Sequence, residues 1–280
     1  MAYKIATVSN IPIYVDWSLI LLLLFVVSDF GNPLFGIAVG VGVAASIVLH
    51  ELGHSLVAQA FGCRVRDITL MLIGGCATII DMPRKAWQEF LMALAGPLVS
   101  ALIGALCLAA VSLLHIDPMS VSTSAGYSPG LFFYLGVINL SLCFFNLLPA
   151  FPMDGGRILR AFLQQFFMTR LRATWVASRI GRFIAILMGL SVLFSFLTHR
   201  FEGYMLTRLL IAYFIYTAAD REYRMVLLEE AAARQRPPFA GFPFFGRTRA
   251  SEPPPDDGKA VVSPPPYERG GATRVDVHKE

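Results

Sequence analysis

Six apolar blocks, at about residues 17–27, 37–61, 90–114, 131–148, 180–197 and 204–219, constrain this chain more than any other feature of its sequence. A helix needs about 20 predominantly apolar residues to cross a hydrocarbon core, and several of the blocks approach that length. Only 15% of the 280 residues are charged, where a soluble domain carries about 25%. That deficit requires an apolar solvent. Residues 1–225 are therefore expected to form an all-α polytopic membrane protein of about six transmembrane helices, seated in a lipid bilayer.

The first block is short enough to compete with a signal peptide. Lys4 makes only a thin basic leader, however, and no small-x-small cleavage site follows, so a retained helix is preferred. Ahead of it, Ile11-Pro12-Ile13-Tyr14-Val15 reads as an extended lead-in. Residues 62–80 alternate β-branched and polar positions around Gly74-Gly75, the pattern of a small membrane-associated β-hairpin. From about Ala231 the composition turns Pro-rich and charged, with Pro253-Pro254-Pro255 and Pro264-Pro265-Pro266. Such a stretch buries too little apolar surface to offset its ordering entropy, so residues 226–280 are expected to be a disordered cytoplasmic tail.

Charge fixes an orientation. Arg64, Arg66, Arg84 and Lys85 lie between the second and third blocks, Arg157, Arg160, Arg170 and Arg172 between the fourth and fifth, and Arg221 and Arg224 after the sixth. The opposite loops offer Arg200 alone. Under the positive-inside rule both termini are cytoplasmic. The net charge of +4 is thus spread over membrane-flanking loops, without the aromatic and basic interleaving of a nucleic-acid module, and no nucleic-acid partner is expected. The four cysteines form no C-x-x-C pair and read as small buried hydrophobes.

The chemistry lies in the second block. His50 and His54 are four residues apart, so on a helix they project from one face, able to share one zinc ion. Glu51, beside them, is placed to take a proton from water. A charge at the bilayer centre costs about 2.5–3.5 kcal/mol on insertion scales, so ionisable residues inside a span mark function by default. A zinc enzyme needs a third protein ligand, and Asp154 is the best candidate, following a stretch broken by Pro149 and Pro152 and followed by Gly155-Gly156. Broken backbone at membrane depth is tolerated where it is buried in protein or lines a wet cavity. In the six-span topology His50-Glu51-Leu52-Gly53-His54 and Asp154 fall at similar depth on the cytoplasmic side. Gly40, Gly42, Gly96 and Gly104 are read as close-packing positions between helices. His115 and His199 are read as interfacial, not as ligands.

The pair His50-Glu51-Leu52-Gly53-His54 and Asn146-Leu147-Leu148-Pro149-Ala150-Phe151-Pro152-Met153-Asp154-Gly155 resembles the two signatures of the site-2 protease family of intramembrane zinc metalloproteases. Ile73-Gly74-Gly75 and Ala93-Leu94-Ala95-Gly96-Pro97-Leu98 resemble its bacterial members, and the likeness covers about residues 8–220. The resemblance implies one Zn2+ held by His50, His54 and Asp154, with Glu51 activating water and Asn146 positioning substrate or the reacting carbonyl. It implies substrates that are single-span membrane proteins, of the anti-sigma factor, sporulation factor or signal-peptide remnant class, and a bacterial cytoplasmic membrane. Gly74 and Gly75 could bind an extended substrate segment by strand addition. Many relatives carry a PDZ domain or a CBS pair. This chain has room for neither after residue 219, so regulation by those modules is not expected. Two other classes stay open at this point: a zinc-binding membrane transporter, which needs a polar track across the bilayer, and an inactive protease-like binder of membrane proteins. The oligomeric state is open too.

Overall fold

A computed structural model of the chain describes residues 2–28, 30, 32–71, 74–80, 83, 85–113, 130–198 and 204–235. His115, His199 and residues 236–280 of the expected tail lie outside the described residues. The elements run β1 (Ala2–Val8), β2 (Ile11–Asp16), α1 (Leu19–Ser28), α2 (Pro33–Ala60), β3 (Val65–Met71), β4 (Gly74–Ile79), α3 (Ala86–Leu113), α4 (Gly130–Asn146), α5 (Asp154–Phe166), α6 (Arg170–Thr198) and α7 (Tyr204–Gln235). Met1–Glu229 form one compact unit, and residues 230–280 a second, of which only the end of α7 is described.

Each expected block is a helix, though with shifted ends. Among the described residues three helices, α2, α3 and α6, are long and apolar enough to cross a membrane. Helices α1 and α4 are apolar but have only 10 and 17 residues. Helix α7 carries Arg208 near its start and Asp220 and Arg221 just past its apolar stretch, and continues to Gln235. The first residues assigned to the tail are therefore helical. Large apolar side chains stand exposed along α3, α6 and α7, among them Leu102, Leu106, Phe183, Phe194 and Leu210. A soluble monomer rarely shows so much contiguous apolar surface, and a bilayer would cover it.

The all-α expectation is corrected by a four-stranded sheet in the order β1-β2-β3-β4. The anticipated hairpin is present as β3 and β4, antiparallel, with Leu70 opposite Gly75 and Met71 opposite Gly74. The lead-in supplies the other half: β1 and β2 form a hairpin through Ser9 and Asn10, both at positive φ, as tight two-residue hairpin turns require. Strand β2 then pairs parallel with β3, Ile13 opposite Ile68, so α1 and α2 form the crossover between them. That pairing joins residues more than fifty positions apart, and no local pattern announces it. The inner face of the sheet, Ile11, Ile13 and Ile68, packs on Leu52 and Val48 of α2. The sheet thus braces the half of α2 that carries the histidines.

Helix α2 starts where Asn32 accepts from the Leu34 and Phe35 amides, with Pro33 in the first turn, the preferred N-terminal chemistry. The segment 147–153 turns the chain back from α4 into α5. Its Ala150 is buried against Ala185 and Ile215, and its Phe151 against Ala177 and Ala219. Small residues of α6 and α7 therefore form the seat for the turn before Asp154.

One charge counted towards the topology proves not to be a loop charge. Arg160 is 1% exposed. Its Nε donates to Glu89 Oε1 of α3 at 2.9 Å, a second guanidinium nitrogen reaches the same oxygen, and Nη1 donates to Glu222 Oε1 of α7 at 2.6 Å. The guanidinium also lies 5.2 Å from the Phe151 ring centre. Removing one partner of such a buried pair typically costs about 3–5 kcal/mol. Of the cysteines, Cys63 and Cys143 are buried as expected, Cys107 is half-buried, and Cys76 is exposed on β4, a correction to the uniform reading.

Candidate active site

His50 and His54 lie one turn apart on the buried face of α2, their rings edge-to-face with centroids 4.9 Å apart. Asp154 is the first residue of α5. Its Oδ2 lies 3.3 Å from His50 Nε2 and 3.1 Å from His54 Nε2, and the two Nε2 atoms are 3.2 Å apart. The three residues are the group among the described residues whose ligand atoms could hold a metal ion.

The far side of each imidazole explains what this triangle is for. His54 Nδ1 is 2.7 Å from the Met92 carbonyl oxygen, which can only accept, so Nδ1 carries the proton. In the neutral ring Nε2 then presents a lone pair to Asp154. His50 Nδ1 meets the Ser100 hydroxyl at 2.9 Å, again away from the triangle. Two imidazole nitrogens and a carboxylate oxygen facing one another in a buried space repel unless a proton or a metal cation lies among them. Four ligands placed tetrahedrally about 2.0–2.1 Å from zinc would stand about 3.3–3.4 Å apart, close to the observed 3.1–3.3 Å edges. The residues present fit a zinc ion, and the outward N–H to a carbonyl is the orientation that metal-ligating histidines adopt.

Space is as controlled as charge. A Cβ on Gly96 would collide with His54 Nε2 and stand 2.7 Å from His50 Nε2. A Cβ on Gly53 would come within 3.1 Å of the Ala95 carbonyl oxygen and 2.9 Å of a Val99 methyl. The sequence reading of Gly96 as a packing position holds, but what it packs against is the pair of imidazoles. Helix α3 therefore presents one stripe to the site: Met92 as acceptor, Gly96 as clearance, Ser100 as partner to His50. Gly155 and Gly156 serve the other wall, where any Cβ would strike the Leu147 and Leu148 carbonyl oxygens or the Phe151 nitrogen.

Glu51 is half-buried on α2, next to His50. Its side chain lies under Gly75 of β4, where a Cβ would stand 2.5 Å from Glu51 Cγ. Gly74 has φ of +128°, a conformation other residues rarely adopt. Both glycines thus sit on the strand that covers Glu51, and β4 forms one edge of the sheet. Asn146 ends α4 and its amide donates to the Leu142 carbonyl of its own helix at 2.9 Å. The structure brings together His50, His54 and Asp154, places Glu51 beside Gly75, and leaves Asn146 engaged with its own backbone. Sequence reasoning missed Met92 and Ser100. Ser100 carried a faint signal, a polar residue four positions after Gly96 in an apolar run. Met92 carried none, because its contribution is a backbone oxygen.

The family model for peptidase family M50 matches residues 38–125 and 111–188, which takes in both histidines, Glu51 and Asp154. The chain belongs to peptidase family M50. It is 36% identical over 228 residues to a zinc metalloprotease of Methanocaldococcus jannaschii, covering 81% of this chain and 62% of that protein. It is 34% identical over 116 residues to stage IV sporulation protein FB of Bacillus subtilis, covering 40% of this chain and 36% of that protein. Among solved structures, the site-2 protease from Methanocaldococcus jannaschii matches with a TM-score of 0.56 and 35% identity, over 80% of this chain and 95% of that one. The chain spans at most about three-fifths of the length of these curated relatives. Membership agrees with the resemblance read from the two motifs, and zinc is the metal named for the archaeal relative.

Proposed function

We propose that this M50 chain is a membrane zinc metalloendopeptidase that hydrolyses peptide bonds of membrane-spanning substrates, with His50, His54 and Asp154 as metal ligands and Glu51 as general base. The observation that carries the reading is the triangle of Nε2, Nε2 and Oδ2 atoms, each imidazole held from behind by a partner on α3. Zinc, when bound, supplies Lewis acidity towards the scissile carbonyl and lowers the pKa of water to about 7. Glu51 takes the proton from the attacking water as its oxygen bonds to the carbonyl carbon, and returns it to the leaving amine as the C–N bond breaks. The β4 edge, with Gly74 and Gly75, binds an extended substrate segment by strand addition. In support, Gly75 lies against Glu51, so a segment on that edge passes next to the base. Asn146 holds the reacting carbonyl after rotating from the Leu142 oxygen.

The chain is multi-pass, with α1 to α4, α6 and α7 as six spans, both termini and the site on the cytoplasmic side of a bacterial cell membrane. The remaining basic residues of the inner loops support that orientation. Substrates are single-span membrane proteins of the anti-sigma factor, sporulation factor or signal-peptide remnant class, cut during regulated intramembrane proteolysis. Residues 236–280, after the end of α7, act as a Pro-rich cytoplasmic tail.

The test is a reconstituted full chain with a panel of single-span substrates, comparing wild type with Glu51→Gln. Near-stoichiometric zinc in both, with cleavage reduced by about 10²–10⁴-fold in the variant, is expected for loss of a general base. Cleavage by Glu51→Gln at the wild-type rate would overturn the base assignment. A zinc-loaded wild type that binds but cuts no member of the panel would favour the binder.

A further inference from the structure

The proposed mechanism makes no use of the most deeply buried charge among the described residues. Arg160 lies on α5, six residues after Asp154, which is about 9 Å along a helix. Glu89, its partner, lies on α3, seven residues before Gly96, or about 10.5 Å. The two helices are thus joined at two matched points, Arg160 to Glu89 at one and Asp154 at the imidazoles beside Gly96 at the other. Glu89 also belongs to the α3 stripe that continues through Met92, Gly96 and Ser100, each buried and each touching the histidines or the space between them.

We propose that Arg160 is a positioning residue for the metal site, its ion pairs with Glu89 and Glu222 fixing the axial register of α5 so that the Asp154 carboxylate meets both imidazoles. The argument rests on the zinc-ligand reading above and extends it to a residue outside the ligand set. A slip of one residue along α5 would move Asp154 by about 1.5 Å, whereas functional constellations tolerate about 0.5 Å. The buried residues of α5 are Gly155, Gly156, Arg160 and Ala161, and of these Arg160 is the one whose side chain makes directional bonds to α3 and α7. A guanidinium bonded through three nitrogens to two carboxylates has one position. Glu222 brings α7 into the same lock, so the helix leading to the C-terminal segment contributes to metal affinity from outside the site.

The experiment measures the zinc dissociation constant by chelator competition, and the visible absorption of the Co2+-substituted chain, for the full-length protein in detergent. Wild type is compared with Arg160→Lys, Arg160→Met and Glu222→Gln. Arg160→Met is expected to bind zinc about 10- to 100-fold more weakly, the range found for residues that orient ligands, with altered Co2+ bands. Glu222→Gln should shift in the same direction by less, and Arg160→Lys should recover part of the loss. Wild-type affinity and bands in folded Arg160→Met, with only a lower melting temperature, would overturn the proposal and leave the cluster a structural brace. If Arg160→Met does not fold, Glu222→Gln decides, because its carboxylate is the less buried partner and Glu89 remains in place. Proteolysis is not read, so the proposal survives a chain that binds zinc but cuts nothing. A wild type that binds no zinc would overturn the ligand set and this proposal with it.

Discussion

Helices α3 and α6 are closely matched, with 28 and 29 residues, and both are long and apolar enough to cross a bilayer. They do different work. Helix α3 buries Glu89, Met92, Gly96 and Ser100 along one stripe, and every one of these touches the histidines or the Arg160 lock. Helix α6 buries Ala173, Thr174, Ala177, Ser178, Gly181 and Ala185, small residues that seat the 147–153 turn and α7, while its second half exposes leucines and phenylalanines. The most apolar stretches of the two are about equally hydropathic, as a lipid setting requires. Function resides in a few inward-facing atoms, among them a carbonyl and a missing Cβ, which hydropathy does not weigh.

Five substitutions sharpen or break that contrast. Gly96→Val should have the largest effect, since its Cβ would stand 2.1 Å from His54 Nε2. Zinc per protein, measured by metal analysis, is expected to fall close to zero with the helical content retained. Full zinc in that variant would mean that α3 does not back the site. Gly75→Ala tests the strand above Glu51, where the added methyl would press on its Cγ. Zinc should be retained while cleavage drops by about 10²-fold, the cost of displacing a reacting group by an ångström. Equal cleavage would remove β4 from the reaction.

A smaller effect is expected from Ser100→Ala, which removes the partner of His50 Nδ1. Zinc affinity should weaken by about tenfold, whereas Ser178→Ala on α6, which loses a bond to the Ala219 carbonyl and one from Arg182, should leave zinc binding unchanged. Gly189→Ala on α6 should do least. Nothing lies within 4 Å of its added Cβ, so zinc binding and cleavage should match wild type and stability should change by no more than about 1 kcal/mol. A loss of zinc there would mean that α6 is not the passive member of the pair.

How much of this was legible beforehand differs by feature. The helices were readable because burial in lipid demands long apolar runs, and each expected block falls within or overlaps a helix. The sheet was half readable: residues 62–80 show the alternation of a hairpin, but Ile11–Val15 reads only as an extended lead-in because the pairing of β2 with β3 is parallel and distant, and nothing in the sequence reading marks β1. The helix α5 was overlooked as an Arg-rich stretch, since its lone apolar face is short and its charges suggested a loop. Arg160 was counted as a free cytoplasmic charge for the same reason, and its two glutamate partners come from α3 and α7.

The sequence by itself pointed to a membrane setting and to His50, His54 and Asp154 as a candidate metal group, which the structure places together. It could do so because a four-residue spacing on a helix fixes a shared face, and ionisable groups in lipid are too costly to be incidental. Only the tertiary structure decided how the histidines are held, what clears space for them and what sets Asp154 in register. Those tasks fall to a backbone oxygen, an absent side chain and an ion pair between distant segments. None of the three leaves a pattern along the chain, because each exists only when two helices meet.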